Sequence, residues 1–568
     1  MHFYETSFIE WKRHRETKAG DRIEVIVKYH GDIFQAANSV GGRAELLSAN
    51  YAIVEIEEER LAELYQFTEI EDIELSKRLY VKSGFQLTSA CISTVQQASG
   101  FDLQGRGTIA VVIDSGIDYT HIDFRNSDGT TRILSLWDQT IEGSPPDGFF
   151  EGTEYSKEEI DRALSEPSPY AVIPSRDEVG HGTAAAGIIA GNGNASGGQN
   201  KGVAPLCELI VVKVGRRSDD FFALSTDIMR GVRYAVDKAR FFEKPAAVNL
   251  SFGMNNGAHD GKSLFESFLT EMADEWKLSV IAPTGNEGAA GHHFSGRVIQ
   301  GKTLEIPFFT ASGIERFYLT AWKNFADRFS VELVLPNGLT TGVVDIESQR
   351  KQVRLSGMQI TVLYGQPTRY SVQQEIFIDV FSENSTIPSG SWTLRLIPSE
   401  IVDGKIDIWL PTLEEVTAKT YFSDPTVTDT MTLPSTAEKL IRTAGYNDRI
   451  GSIAPFSGVG SAENTDRMPD IAAPAVNITA PRAGGGYDTV TGTSFAAPFV
   501  TGAALLLMEW AITRKNAPYF YGERLRAFLR LGASRSTGIR YPNPTFGYGR
   551  LCLQKTLDYL IRYTEGAL

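Results

Sequence analysis

The 568-residue sequence predicts an α/β protein whose parallel sheet carries helices on both faces, with a small α+β unit before it and a β-sandwich inserted into it. Two stretches of the chain alternate continuous β-branched runs with helical segments, which is typical of parallel sheets buried on both faces. Short alternating strand-like segments without helices separate these stretches. A strand–helix–strand–strand–helix–strand pattern precedes the first of them.

Residues 1–96 form the first predicted domain. RIEVIVKYH at 22–30 and NYAIVEIE at 50–57 have strand patterns, with a helix closed by glycines between them. EERLAELYQF then has helical spacing, and EIEDIELS returns to a strand. This order indicates a ferredoxin-like fold with an antiparallel sheet. The segment 77–97 is predicted to be a linker with an uncharged end, SACISTVQQASG.

The second predicted domain, residues 97–293 and 428–568, is the α/β part. Its strand candidates are continuous apolar runs, and LSTDIMRGVRYAVDKAR and SLFESFLTEMADEWK are helical segments between them. In such sheets, functional residues gather at the carboxyl ends of the strands. The strand candidates are TIAVVID (108–114), ELIVVKV (208–214), AAVNLSF (246–252) and LSVIAP (278–283).

Residues 294–427 form the third predicted domain. Eight short alternating segments, separated by turns such as PNG and SENSTIPSG, predict a two-sheet sandwich of the jelly-roll type. Because the α/β pattern resumes after residue 428, the sandwich is an insertion. The eight segments are TLEIPFF, RFYLTAW, FSVELVLP, TGVVDI, QITVLYG, EIFIDVF, SWTLRLIP and KIDIWLP.

Composition narrows the function classes. The net charge of −15 argues against binding to nucleic acid or to an anionic membrane surface. No apolar run approaches the about 18 residues that cross a bilayer. The first residues, MHFYETSFIEWKRHRE, lack a secretory-signal pattern, so we expect an intracellular protein. The three cysteines are far apart and are predicted to be buried thiols rather than disulfides or metal ligands: Cys91, Cys207 and Cys552.

Four polar residues stand beside buried elements. Asp114 ends the first buried strand, His181 begins a helix of small residues, and Asn286 lies in a glycine turn after a strand. Ser494 precedes the apolar run that continues to Met508 and would stand at a helix N-terminus, where unpaired N–H groups favour negative charge. Alone, each residue has an ordinary role as a turn, cap or structural residue.

Together, an Asp, a His and a Ser are the parts of an activated-serine triad. Their order along the chain, Asp–His–Ser, is that of subtilisin. The segments D-S-G-I-D, H-G-T-x-x-A-G, N-x-S-F-G, G-N-E-G and G-T-S-x-A-A-P resemble the motifs of subtilisin-like serine proteases, the subtilases. The resemblance covers residues 1–290 and 428–568.

The resemblance implies a role for each of the four residues. Ser494 would be the nucleophile, with its own N–H donating to the oxyanion. His181 would be general base and then general acid, and Asp114 would hold the imidazole tautomer. Asn286 would supply a side-chain oxyanion donor.

The resemblance also implies substrate-binding residues. Ser251, Phe252 and Gly253 match the segment that pairs with an extended substrate, and Thr284 and Gly285 would line the S1 pocket. Catalysis would require no cofactor. A structural calcium is left open: Asp123 matches a family ligand, whereas the loop NGNASGGQN at 192–200 offers no acidic partner.

Subtilases commonly carry a ferredoxin-like propeptide, which implies this role for residues 1–96. We expect autocleavage between Lys77 and Gln97, at the uncharged end of the linker. The signal-less chain with an inserted sandwich is similar to the Csp germination proteases of spore-forming clostridia. This similarity implies a location within the spore and a protein substrate, the zymogen of a cortex-degrading hydrolase.

Two alternatives stay open. One is a catalytically latent or pseudoprotease-like sensor or scaffold held by its own propeptide. The other is a binding protein whose sandwich recognises carbohydrate or a protein, although single tryptophans in strands are more typical of a core.

Overall fold

The computed structural model forms two compact units, residues 1–82 and residues 83–568. The residues that it describes are 22–46, 51–64, 66–75, 85–97, 100–215, 223–345, 347, 350–365, 367, 371–382, 386–416 and 419–566. Residues 77–84, the first part of the predicted linker, lie outside them.

The first unit is a four-stranded antiparallel sheet with two helices. Its strand order, β2-β3-β1-β4, and its element order confirm the predicted strand–helix–strand–strand–helix–strand pattern. Alternate residues of β1, Val25 and Val27, are fully buried and face the helix residues Ala36 and Ala37 in one core. The elements are β1 (Arg22–Tyr29), α1 (Ile33–Ser39), β2 (Arg43–Leu46), β3 (Tyr51–Glu57), α2 (Leu61–Leu64) and β4 (Ile70–Leu75).

The second unit is built on a nine-stranded mixed sheet. Its order is β22-β21-β10-β9-β5-β8-β6-β7, with β23 paired to β21, and only the β6–β7 and β21–β22 pairs are antiparallel. The strands are β5 (Ile109–Asp114), β6 (Ile133–Asp138), β7 (Thr153–Ser156), β8 (Glu208–Lys213), β9 (Ala246–Leu250), β10 (Leu278–Pro283), β21 (Ile441–Asn447), β22 (Ser452–Ile453) and β23 (Ile471–Pro474). A separate hairpin contains β24 (Ile478–Pro481) and β25 (Tyr487–Val490).

Helices cover both faces of this sheet, as predicted. Ala110 and Val112 of β5 belong to one core, and Ile109, Val111 and Ile113 belong to the other. The helices of the second unit are α3 (Phe85–Ser89), α4 (Ser93–Gln96), α5 (Lys157–Leu164), α6 (Pro169–Val172), α7 (His181–Ala190), α8 (Ser225–Phe241), α9 (Leu264–Met272), α10 (Thr493–Met508), α11 (Gly522–Gly532) and α12 (Leu553–Thr564). The first core contains residues of α7, α10, α11 and α12, and the second contains residues of α8 and α9.

Helix α10 continues into a π-helical turn, Glu509–Thr513. By length and composition the helical segment Thr493–Thr513 could cross a membrane, but 94% of its most apolar window is buried inside the protein. It is therefore the core helix that the sequence predicts.

Residues 85–97 differ from the predicted linker, because they pack into the second unit. Ile92 and Val95 are fully buried in its first core, and Gln96 Nε2 donates to the carbonyl oxygens of Gly202 and Val203 at 3.0 and 2.8 Å. The uncharged end of the segment is thus part of the α/β unit.

The prediction that all three cysteines are thiols was wrong. Cys91 and Cys552 form a disulfide, whereas Cys207 is a buried free thiol as predicted. The two bonded cysteines lie 461 residues apart in sequence, yet their Cα atoms are 4.8 Å apart. Because the N–H of Leu553 donates to the carbonyl oxygen of Ala90, the start of α12 lies directly against this segment.

The insertion is a two-sheet antiparallel sandwich, as predicted; its jelly-roll type stays a prediction. The sheet orders are β11-β19-β13-β17-β16-β15 and β14-β18-β12-β20. TGVVDI was expected as a strand, but Val344 forms only an isolated bridge with Val331. The strands are β11 (His293–Arg297), β12 (Leu304–Thr310), β13 (Arg316–Asn324), β14 (Arg328–Val334), β15 (Arg350–Leu355), β16 (Met358–Tyr364), β17 (Gln373–Ser382), β18 (Gly390–Glu400), β19 (Lys405–Trp409) and β20 (Tyr421–Phe422).

The tryptophans of β18 and β19 are core residues. Trp392 is fully buried, and Trp409 is stacked between the rings of His259 and His293 at 4.1 and 4.7 Å. The Trp392 ring is closed to a ligand, which disfavours it as a carbohydrate platform, whereas Trp409 lines a cavity together with Trp322 and Asp407.

Candidate active site

Three of the predicted site residues lie near the carboxyl edge of the mixed sheet. β5 ends at Asp114, α7 begins at His181, and Ser494 lies in the first turn of α10. The helix α7 approaches β5 closely at Gly182, where an added Cβ would lie 2.1 Å from the carbonyl oxygen of Gly116. Glycine is therefore needed directly after His181.

The three side chains form a hydrogen-bonded chain. His181 Nδ1 lies 2.8 Å from Asp114 Oδ1, and His181 Nε2 lies 3.0 Å from Ser494 Oγ. A neutral imidazole that donates from Nδ1 to the carboxylate accepts the serine hydroxyl proton at Nε2. Asp114 is buried, and the N–H of Ser115 also donates to its Oδ1 at 2.7 Å. The arrangement has the geometry of an activated serine.

Opposing effects set the pKa of His181. Burial lowers it, but the charge and hydrogen bond of Asp114 and the charge of Asp177 raise it, and the net result lies above the ordinary value. The ring of Phe495 packs at 4.7 Å from that of His181. The imidazole is thus held in place, and its raised pKa favours acceptance of a proton.

Asp177 is a site residue that sequence reasoning missed. Its Oδ1 accepts from Ser115 Oγ and the N–H of Gly180 at 2.7 and 2.8 Å, and its Oδ2 accepts from the N–H and hydroxyl of Thr183 at 2.8 and 2.6 Å. The carboxylate therefore ties the end of β5 to the start of α7. A local signal existed, since Asp177 precedes His181 by one helical turn within DEVGHG.

Asn286 lies beside the serine, in the turn after β10. Its Oδ1 accepts from the N–H and hydroxyl of Thr493, both at 3.1 Å, which leaves its NH₂ group to face the other way. Gly492 has φ 151°, and a Cβ there would lie 3.2 Å from Ser494 Oγ. This backbone conformation favours glycine, and Asn286 Nδ2 would lie 3.8 Å from the same Cβ position, so the serine hydroxyl and the amide nitrogen are neighbours.

A residue of the sandwich reaches Asn286. Glu414, in the connection between β19 and β20, places Oε1 3.5 Å from Asn286 Nδ2. The preceding residue is anchored, because the N–H of Leu413 donates to Glu287 Oε1 at 2.9 Å. Sequence reasoning missed Glu414, and no local pattern announces a contact across 128 positions.

The predicted substrate-binding residues lie around the serine. Ser251 Oγ donates to the carbonyl oxygen of Ser494 at 3.4 Å and accepts from Asn249 Nδ2 at 2.7 Å. Phe252 is partly buried against the core beneath β9, and Gly253 follows it.

The residues predicted to form the other wall of the S1 pocket follow β10. Gly285 has φ 86°, and a Cβ added there would lie 2.4 Å from Thr432 Oγ1. Thr284 is fully buried, with its hydroxyl 3.3 Å from that of Ser457, and its place in the S1 pocket stays a prediction.

Asp123 does not fit a calcium site. It is fully buried, its Oδ1 accepts from the N–H of Ala195 at 2.7 Å, and its Oδ2 accepts from the hydroxyl of Tyr487 at 2.6 Å. Both carboxylate oxygens thus accept hydrogen bonds from the protein. Among the described residues, no group of three or more His, Cys, Asp or Glu side chains could hold a metal ion.

Two protein-family models match this chain. The model of the subtilase family matches residues 105–351 and 418–549, and that of the Csp protease B prodomain matches residues 8–77. The structure of the Clostridium perfringens CspB protease is 33% identical, with a TM-score of 0.77, covering 84% of this chain and 98% of that one.

Two curated relatives are more distant. The PIII-type proteinase of Lactococcus lactis subsp. cremoris (strain SK11) is 23% identical over 504 residues, covering 81% of this chain and 24% of that protein. The PII-type proteinase of Lacticaseibacillus paracasei is 24% identical over 515 residues, covering 81% and 25%. This chain spans about a quarter of the length of these relatives. The family model matches most of the sequence, and the chain belongs to the subtilase family.

Proposed function

We propose that this protein is a serine endopeptidase of the subtilisin type. The observation that carries the proposal is the position of His181, with one ring nitrogen 2.8 Å from Asp114 and the other 3.0 Å from Ser494. Ser494 Oγ attacks the scissile carbonyl carbon while its proton passes to His181 Nε2. The imidazolium is stabilised by Asp114 and then gives the proton to the leaving amine. Water, activated by the same histidine, hydrolyses the acyl-enzyme.

The oxyanion formed in each step needs hydrogen-bond donors. Asn286 Nδ2 and the N–H of Ser494 are the donors that we assign to it. The two bonds from Thr493 to Asn286 Oδ1 fix the amide so that its NH₂ group can point at the oxyanion. A preorganised donor stabilises the transition state without a cost of reorientation during the reaction.

The N-terminal unit acts as a propeptide in this proposal. Its support is the match of residues 8–77 to the Csp protease B prodomain and the ferredoxin-like element order. Because residues 85–97 pack into the second unit, we place self-cleavage between residues 77 and 84, narrower than the interval expected from the sequence alone. The propeptide would serve as intramolecular chaperone and inhibitor.

The physiological substrate that we propose is a protein zymogen of a spore-cortex hydrolase, cleaved within the spore during germination. The similarity to the Clostridium perfringens CspB protease supports this proposal. An extended substrate strand would pair with the backbone at Ser251–Gly253.

Intact mass of the wild type beside Ser494→Ala tests the proposal. We expect the wild type to split once between residues 77 and 84 and the variant to stay whole, because the variant lacks the nucleophile. Both proteins staying whole would contradict autoprocessing. A fluorophosphonate that labels wild-type Ser494 would then separate a working triad from an inactive one.

One observation favours a second candidate, a latent protease. Glu414 Oε1 lies beside Asn286 Nδ2, where it competes with an oxyanion for the same donor. In this candidate the triad is competent, but the connection between β19 and β20 keeps activity low until a signal moves it. Fluorophosphonate labelling without turnover of any peptide would favour latency.

A further inference from the structure

A cavity lies between the sandwich and the α/β part of the second unit. Its volume is about 150 Å³, which at ~30 Å³ per water is the volume of about five waters. Trp322 and Asp407 line it from the six-stranded sheet of the sandwich, and His259, Ser461 and Arg467 line it from the α/β part. No residue assigned to the candidate active site lines this cavity, so it is a separate feature of the molecule.

Two side chains of the cavity wall carry opposite charges and have no partner. Arg467 and Asp429 both line the cavity, and both are half-buried. Neither side chain forms a hydrogen bond or an ion pair with any residue that the structure describes, so the two do not pair with each other. Withdrawing a charge from water costs free energy unless the charge gains a partner. Each of these charges is therefore open to a molecule in the cavity.

The other charged side chains of the cavity wall have partners inside the protein. Their ion pairs and hydrogen bonds are His293–Asp407 at 3.3 Å, Arg297–Asp403 at 3.5 Å, Lys405–Asp407 at 3.9 Å, and those from Lys323 to the carbonyl oxygens of Asn324 and Asp327. The two unpaired charges thus differ from their charged neighbours in the same wall.

Main-chain hydrogen bonds fix the segments that carry the two charges. The carbonyl oxygen of Asp429 accepts from Trp409 Nε1 at 3.1 Å, and its N–H donates to the carbonyl oxygen of Gly460 at 3.2 Å. The carbonyl oxygen of Arg467 accepts from the N–H of Ser461 at 2.9 Å. The backbone therefore holds a cation and an anion at one cavity without bringing them into contact.

We propose that the cavity binds a free α-amino acid, whose carboxylate pairs with Arg467 and whose ammonium group pairs with Asp429. A ligand with one charge would leave Arg467 or Asp429 unpaired, and a neutral sugar would leave both unpaired. Arginine binds carboxylates through two parallel N–H donors. The cavity volume favours an amino acid with a short side chain over an aromatic one. The inference goes beyond the proposed function, because this binding requires no active serine.

Calorimetric titration of the full chain tests the site. The probes are L-alanine, L-serine and L-threonine, with L-tryptophan as the ligand that is too large. Ser494→Ala is titrated beside the wild type, so that self-processing does not alter the protein during the measurement. We expect saturable binding of at least one small amino acid at one site in both proteins, and no binding of L-tryptophan. Absence of binding for all three small amino acids at millimolar concentration would overturn the proposal.

Analogues of the bound amino acid test each charge on the unmodified site. The amide of the amino acid keeps the ammonium group but lacks the carboxylate, and the N-acetyl derivative keeps the carboxylate but lacks the ammonium group. Each analogue should bind at least about tenfold more weakly than the amino acid, because one hydrogen-bonded charge is lost. An analogue that binds as well as its parent would contradict the partner assigned to the missing charge.

Arg467→Gln and Asp429→Asn test the same charges from the side of the protein. Each variant should bind the amino acid at least about tenfold more weakly. Arg467→Gln should no longer distinguish the amino acid from its amide, and Asp429→Asn should no longer distinguish it from the N-acetyl derivative. Asparagine suits this position because Asp429 has φ 55°, a conformation that asparagine adopts readily.

Arg449→Gln and Asp128→Asn are the matched controls. They make the same charge changes at exposed positions outside the cavity wall, so they should bind like the wild type. Melting temperatures identify any variant that does not fold. Unchanged affinity in both Arg467→Gln and Asp429→Asn would place the amino acid elsewhere and overturn the site. Binding that is lost in Ser494→Ala would overturn it too, whereas an inactive triad with intact binding would refute the proposed function alone.

Discussion

Strands β5 and β17 differ in how their residues are buried. All six residues of β5 are buried, whereas the ten residues of β17 alternate between buried and partly exposed positions. The mixed sheet lies between two helical layers, so polar side chains reach a common space only at its strand ends. The sandwich sheets bury one face against each other and contribute to the candidate active site through a connection, at Glu414. This contrast predicts that substitutions at the sheet edge change catalysis, whereas those in the sandwich core change stability.

The largest expected effect is that of Asp114→Asn. The amide cannot stabilise the imidazolium and favours the wrong tautomer, so kcat should fall about 10⁴-fold without loss of folding. Self-processing rates and melting temperatures measure this. Asp128→Asn is the matched control, because Asp128 Oδ1 only caps a turn at Thr130 and no activity change is expected. A loss below tenfold for Asp114→Asn would contradict the assigned role.

Asn286→Ala should reduce kcat about 10²–10³-fold, because one oxyanion donor is lost. Thr493→Val is the control: it removes the hydroxyl bond to Asn286 Oδ1 but keeps the N–H bond, and its effect should be much smaller. Equal losses in both variants would mean that Asn286 acts by structure alone.

Ile378→Ala tests the sandwich side of the comparison. Ile378 is fully buried in the sandwich core, so the variant should lose about 2–5 kcal/mol of unfolding free energy. Its kcat, measured well below the melting temperature, should match that of the wild type. The sandwich is also expected to brace the α/β part, so the whole chain should resist limited proteolysis. Ready release of a fragment spanning about 290–430 would refute this.

The pH dependence of kcat/KM tests how the charge of Asp177 affects the pKa of His181. The base must be neutral, and its pKa is raised, so activity should be lost as the pH falls through a value above the ordinary one. Removing the charge of Asp177 in Asp177→Asn should move this acidic limb to lower pH. A limb at or below pH 6.5 in the wild type would contradict the assigned electrostatics.

The smallest expected effect is a gain. Glu414→Gln removes a negative charge next to the oxyanion donor, which at a solvent-exposed position is worth about 1 kcal/mol, or roughly fivefold in kcat. Glu415→Gln is the neighbouring control, because the Glu415 carboxylate bonds Thr412 and Tyr318 instead of Asn286. A loss of activity in Glu414→Gln would mean that Glu414 assists catalysis.

The sequence predicts well the features that depend on short motifs and local periodicity. Asp114, His181, Asn286 and Ser494 each stand in a short motif, and periodicity alone separated the α/β part from the sandwich. Asp177 could have been found in the same way, since it lies one turn before His181.

The features that were missed depend on long-range packing. Glu414 reaches the site from the connection between β19 and β20, and no pattern along the chain marks which carboxylate will lie there. The Cys91–Cys552 pair is missed for the same reason, because its partners meet only once α12 has packed against α4.

The disulfide has a consequence for the covalent topology. It closes residues 91–552 into a ring. A cut anywhere inside the ring adds the mass of one water but releases no fragment, whereas a cut before Cys91 frees the N-terminal piece. In an unreduced sample, self-processing therefore appears as a released N-terminal fragment and an internal nick as one added water; reduction then separates the pieces of a nicked chain.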